Sequence, residues 1–116
     1  MAKTNVNLMF RAFSDPTRLR ILHLLLDGEL CVGDIVEVMG SAQPTISRHL
    51  AYLRRSGLVA TRRNGLWNFY NLAPAKLPFH RDLLKCLRGC FHAVPEIAGD
   101  SAKATKIRRS GGCCPH

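Results

Sequence analysis

Five cysteines stand in a chain of 116 residues, and their spacing suggests thiol chemistry. Cys86 and Cys90 are four residues apart. On a helix that spacing puts both on one face, with Cβ atoms about 5–6 Å apart, so two thiolates could grip one soft ion. Cys113 and Cys114 are adjacent, in a polar stretch with no apolar neighbours to pack against. Soft thiolates select soft acceptors. Trivalent arsenic or antimony bonds three thiolates in a pyramid, whereas cadmium, lead or zinc prefers four. Cys86, Cys90, Cys113 and Cys114 are therefore the candidate metal or metalloid ligands. The helical pair would serve equally as two small apolar side chains at a helix interface, as free cysteine often does, and the adjacent pair could be an idle end. Lys85, Arg88, Lys106, Arg108 and Arg109 stand near these thiols and are expected to favour the thiolate. An odd number of cysteines argues against a closed disulfide framework.

A second constellation runs from Gln43 to Leu58. Ile46, Leu50 and Leu53 recur at spacings of four and three, the core stripe of an amphipathic helix. Gln43, Thr45, Ser47, Arg48 and His49 crowd the start of the same helix. A helix that inserts its N-terminal end into the major groove needs these types: donors for phosphates and side chains that pair with base edges. Gln43 suits adenine, Arg48 guanine and Thr45 a thymine methyl. Tyr52, Arg54 and Arg55 are open between packing, solvation and phosphate contact.

These residues need elements to hold them. Val6 to Phe13 reads as a short helix. Ser14 or Asp15 caps a second, nearly apolar helix over Arg18 to Leu26, with Pro16 in its first turn. Val32 to Met39 is a third helix, closed by Gly40. Pro44 opens the fourth, which Gly57 stops. The period then changes to two: Leu58–Arg62 and Trp67–Leu72 are strands joined through Arg63-Asn64-Gly65-Leu66, with Asn-Gly as the hairpin signal. A last helix runs from about Pro78 to His92. The fold class is mainly α with a β-hairpin wing, a winged helix-turn-helix in which Arg62, Arg63 and Asn64 reach phosphate or minor groove. Leu8, Phe10, Phe13, Leu83, Leu84 and Leu87 on the terminal helices are expected to form a homodimer interface, so that two copies read a two-fold site. Residues 1–98 form the DNA-binding and dimerisation domain. Residues 99–116, with Lys103, Lys106, Arg108 and Arg109 against Asp100, are expected to be a flexible basic tail.

Composition agrees. The net charge is +9, which favours a polyanion partner, and 47% hydrophobic residues supply a core. No apolar run approaches the roughly 18 residues of a membrane span, and the first residues lack a signal peptide's apolar region. A cytoplasmic protein without a membrane partner is expected. No Cys-x-x-Cys on a βαβ unit and no clear nucleophile–base pair argue for an enzyme.

Four segments together resemble the ArsR/SmtB family of metal-responsive repressors: Phe13 to Leu22, Glu29 to Asp34, Gln43 to Leu50 and Leu53 to Val59. The resemblance covers roughly residues 8 to 92 and implies a homodimeric winged helix of order α-α-α-α-β-β-α. It implies binding to double-stranded operator DNA without a cofactor, and release when a metal or metalloid binds, with arsenite or antimonite as the expected effector. Cadmium, lead, zinc or a redox or persulfide signal is the alternative. The chain departs from the family in the third helix. Cys31 matches the first thiol of the arsenic-type pattern, but Gly33 and Val36 stand where further thiols would be, so Cys31 is expected to be packed or vestigial. A family zinc site on the last helix is echoed loosely by His80, Asp82, His92 and Glu96. Control is therefore expected from the chain's far end. Effector binding would draw the tail onto the last helix and shift the spacing of the two recognition helices.

Overall fold

A computed structural model describes residues 6–91 and 93–112. Helix α1 covers Val6–Phe13 and α2 Pro16–Leu24, followed by a short 3-10 turn at Leu25–Asp27. Asp15 caps α2: its Oδ2 accepts the Arg18 backbone N–H at 2.9 Å, while Pro16 sits in the first turn, where a missing N–H costs nothing. Strand β1 is Leu30–Cys31, α3 Val32–Met39 and α4 Gln43–Ser56. Strands β2 (Val59–Asn64) and β3 (Trp67–Leu72) form the wing, and α5 (Pro78–Cys90) and α6 (Pro95–Ser110) complete the chain. The fold is a winged helix-turn-helix.

The core lies where α1 to α4 meet. Ile21, Leu22, Leu24, Ile35, Ile46, Leu50, Leu53 and Leu58 are all buried in it. Each such side chain contributes about 1.5–3 kcal/mol on leaving water. Gly40 ends α3 at φ +68°, a left-handed position where a Cβ would be strained. That turn sets α4 against α3, fixing the helix-turn-helix. Leu87 of α5 is also buried in this core, so it packs within the chain rather than at the expected interface between copies. Val6 and Phe10 of α1 remain exposed.

The sheet is antiparallel in the order β1-β3-β2. Leu30 and Cys31 pair with Tyr70 and Phe69, a third strand that the sequence did not suggest. Asn64 pairs with Trp67, so the two-residue hairpin loop is Gly65-Leu66, one residue later than the Asn-Gly signal implies. Gly65 has φ +62°, as the first central position of a tight hairpin turn demands.

The expected flexible tail is corrected by the structure. Residues 95–110 form α6, the longest helix described. Pro95 occupies its first turn, and Gly111 ends it in the left-handed region. Ile97, Asp100 and Ala104 are buried on one face, three or four residues apart, and Ile107 extends that face against the core. The buried Asp100 carboxylate accepts two hydrogen bonds from the Arg20 guanidinium of α2, at 2.7 and 2.8 Å. Arg108 donates to the carbonyls of Leu24 at 3.1 Å and Gly28 at 2.8 Å, satisfying groups that α2 and the 3-10 turn leave open at their ends. α6 thus packs on α2 and α3.

Candidate nucleic-acid interface and thiol groups

Helix α4 separates its two faces cleanly. Ile46, Leu50, Leu53 and Ser56 point inward, while Gln43, Arg48, Arg54 and Arg55 are exposed. Gln43 Nε2 donates to Ser47 Oγ at 2.8 Å, which holds the amide over the helix's first turn. Thr45, Ser47 and His49 are half-buried beside it. His49 Nδ1 lies 3.9 Å from the Asp15 carboxylate, tying the recognition helix to the cap of α2. The five predicted α4 residues therefore lie on one helix at one end of the helix-turn-helix.

Arg18 joins this surface, although nothing in the sequence pattern places it there. Its guanidinium donates to the carbonyls of Arg11 at 3.0 Å and Ala12 at 3.4 Å. It also lies 4.1 Å from the centroid of the Tyr52 ring, with Arg55 at 5.5 Å. Arg18, Arg48, His49, Tyr52, Arg54 and Arg55 line a concavity of about 790 Å³, and among the described residues no carboxylate is part of its lining. Gathering four guanidinium groups costs self-repulsion that an anion would relieve. Arg18 stands well before the helix in sequence, so only the packing of α2 on α4 reveals it.

The wing is more mixed. Arg62 makes a two-point ion pair with Glu29 and lies 4.7 Å from the Phe69 ring centroid. Its charge is already answered within the chain, so DNA would have to compete with Glu29 for it. Arg63 Nε donates to the Gly65 carbonyl at 3.0 Å, bracing the turn. Asn64 is exposed next to that turn. Leu66, at 89% exposure, and Trp67, at 41%, form an apolar wing tip that strand periodicity alone does not single out.

The thiols divide into two groups. Cys86 and Cys90 are free, exposed and hydrogen-bonded to each other on α5. The hydrogen bond to Cys90, with desolvation and the charge of Cys90, pushes the Cys86 thiol up. For Cys86 that corrects the expectation that nearby basic residues favour the thiolate: the neighbouring sulfur dominates. Cys31 is buried at the N-cap position of α3 and is disulfide-bonded, so of the two expected outcomes, packed or vestigial, it is packed. Cys113 and Cys114 lie outside the described residues.

The zinc-type set does not assemble from what is described. His80 is buried on α5, and desolvation pushes its pKa down. Asp82 is exposed on the same helix, and Glu96 is in the first turn of α6. His92 lies outside the described residues. Among the described residues, no three His, Cys, Asp or Glu side chains are grouped to hold a metal ion. No helix among them is long and apolar enough to cross a membrane.

Comparison with known proteins agrees with this geometry. Residues 15–61 match the family described as bacterial regulatory protein, arsR family. A 113-residue match at 34% identity spans 97% of this chain and 100% of the arsenical resistance operon repressor of Staphylococcus xylosus. The chain belongs to the ArsR family. The arsenical resistance operon repressor of Escherichia coli K12 is 49% identical over 67 residues, a stretch that spans only 57% of either chain. Among solved structures, HlyU from Vibrio cholerae N16961 superposes with a TM-score of 0.62 at 36% identity, over 70% of this chain and 85% of that one. The family is described as one of regulatory proteins, and both of these relatives are named as repressors.

Proposed function

We propose that this ArsR-family regulator is a homodimeric repressor that binds double-stranded operator DNA in the cytoplasm and releases it when trivalent arsenic or antimony binds its cysteine thiolates. The observation that carries the DNA half is the uncompensated basic face of α4. Arg48, Arg54 and Arg55 stand there exposed with Gln43 and Ser47 at the helix start. Thr45, His49, Arg63 and Asn64 complete the proposed contact set, with Arg62 joining if DNA draws it from Glu29. The exposed Val6 and Phe10 support pairing of two copies through α1 and its neighbours. The effector half is supported by two relatives named for arsenical resistance operons. Its candidate ligands are Cys86, Cys90, Cys113 and Cys114.

An operator can be selected from random-sequence DNA and titrated on the purified protein with arsenite, antimonite, cadmium, lead and zinc. A coupling of about 1–3 kcal/mol corresponds to roughly 5–150-fold weaker DNA binding. Arsenite and antimonite are expected to produce such a loss. Indifference to all five ions would remove the metalloid reading. The disulfide at Cys31 favours one second reading, a thiol redox or persulfide sensor on the same fold. Under that reading, peroxide or polysulfide releases the operator and arsenite does not.

A further inference from the structure

The wing ends in apolar side chains that the described chain leaves uncovered. β1 pairs with β3 at Tyr70 and Phe69 only, so the hairpin beyond that register stands clear of the third strand. Asn64 pairs with Trp67, which leaves Gly65 and Leu66 as the loop. Gly65, at φ +62°, takes the first loop position, and Leu66 is the side chain at the tip. At 89% it is the most exposed of the large apolar side chains described. By strand alternation Trp67 shares a face with Phe69. Phe69 is buried and Trp67 is not, so the sheet's apolar face runs out to the tip and ends there in the open.

We propose that Leu66 is an apolar wedge: it enters the minor groove of bound operator DNA, opens one base step, and makes the protein prefer sites where that step deforms easily. The proposal rests on the DNA-binding reading. It adds a residue that selects sequence without pairing with any base.

The wing's place and charges name the minor groove as what covers the tip. β2 starts three residues after α4 ends and packs on it, so the hairpin continues the surface of the recognition helix. Arg62 is held by Glu29, away from the loop. Arg63 donates through Nε to the Gly65 carbonyl, which keeps its guanidinium beside the Gly65–Leu66 peptide. The tip therefore presents an apolar point with one cation next to it. A minor groove asks for that combination, with phosphates along its walls and the base stack at its floor. It is about 6 Å wide, which admits a single side chain but not a two-stranded ribbon. A leucine inserted there partly unstacks a step and kinks the duplex by roughly 20–90°. Pyrimidine–purine steps, TA and CA/TG, unstack most readily, so the cost of the wedge depends on sequence. The net charge of +9 draws the chain to any DNA, and Leu66 supplies a discrimination that charge does not.

Trp67 is the only tryptophan in the chain, so its emission reports on the tip alone. Operator selected from random-sequence DNA, added to the full-length protein, is expected to quench and shift that emission. A change caused by protein concentration alone or by anionic lipid vesicles, with none on operator, would give the tip to a second copy or to a lipid surface and overturn the proposal. Selection is then repeated with Leu66→Ser, which alters an exposed side chain and leaves the core untouched. The same α4 half-sites are expected, without the enrichment of a TA or CA/TG step at a fixed distance from them that the wild type shows. Replacing that step by AA should weaken wild-type binding about fivefold or more, and Leu66→Ser binding by less than about twofold. Energy transfer between labelled operator ends should report a bend with the wild type and with Leu66→Met, and a straighter duplex with Leu66→Ser. The salt dependence of affinity should be equal in all three, because no phosphate contact changes. A Leu66→Ser protein that bends the operator as far as the wild type and keeps its step preference would overturn the wedge and leave the DNA reading standing. A wild-type protein that enriches no sequence at all would overturn both.

Discussion

Helices α4 and α6 are built from similar materials and do opposite things. Each starts with proline in its first turn, ends at a glycine in the left-handed region and carries two arginines in its last turn. On α4 the buried face is apolar apart from Ser56, and the charges stand outside: Arg48, Arg54 and Arg55 are exposed around a concavity that no carboxylate among the described residues lines. On α6 the key charges turn inward. Asp100 is buried against Arg20, and Arg108 ties down carbonyls of Leu24 and Gly28. A charge whose partner is in the chain holds the fold, and one whose partner is absent is free for another molecule. Basic residues alone do not distinguish these roles; the location of the counter-group does.

The largest expected effect tests the α4 side. Arg48→Ala should leave the helix intact, since the residue is exposed and its neighbours Ile46 and Leu50 hold the core. Losing a bidentate base contact costs about 1–3 kcal/mol, and the proposed dimer would lose it twice. Operator affinity measured by fluorescence anisotropy should therefore fall by about 30-fold or more, with an unchanged thermal midpoint. Retained affinity would remove α4 from the groove. Asp100→Ala is the counterpart on α6. It leaves the Arg20 guanidinium without its partner against a packed surface. Removing one member of a fully buried pair costs about 3–5 kcal/mol. Because Arg20 keeps 27% of its side chain exposed, a smaller loss, about 2–3 kcal/mol, is expected in denaturant melts. Operator affinity, measured where the variant is folded, should barely change.

The two helices also differ in how legible they are in the sequence. In α4 the apolar residues recur without interruption, so Ile46, Leu50 and Leu53 announce the buried face and the polar residues between them announce the exposed one. In α6 the inward stripe of Ile97, Ala104 and Ile107 is interrupted by Asp100, and Pro95 reads as a stop as readily as a first turn. What makes Asp100 an inward residue is Arg20, eighty positions away. Arg62 is misleading for the same reason, because Glu29 is thirty-three positions away. Arg18 joins the basic concavity only through the packing of α2 on α4. Local periodicity shows which face is apolar. It does not show which charge already has a partner.

A smaller effect sharpens the α6 side. Arg108→Ala removes two hydrogen bonds to carbonyls at the end of α2 and the 3-10 turn. A charged donor at such a site contributes about 1 kcal/mol, so a modest drop in the thermal midpoint is expected. Backbone amide exchange should quicken around Leu24 to Gly28 and in the last turn of α6, and stay unchanged in α4. Equal quickening in α4 would mean that α6 braces the recognition helix as well as α2, and the separation drawn between the two helices would be too sharp.

The finest comparison sets two exposed arginines against each other. Arg54 on α4 lines the basic concavity, whereas Arg109 on α6 is exposed but lies outside it. Each removal leaves the fold unaltered and lowers the net charge by the same amount, so long-range attraction to DNA changes alike. Direct phosphate neutralisation does not. A neutralised phosphate releases condensed counterions, and the slope of log affinity against log salt flattens by about 0.9 for each phosphate the protein ceases to neutralise. Arg54→Gln should therefore flatten that slope by about 1 for each subunit on the operator, while Arg109→Gln leaves it near the wild-type value. Matching slopes for the two variants would mean that α4 attracts DNA through overall charge rather than by touching phosphates. The uncompensated concavity would then no longer mark where the phosphates sit.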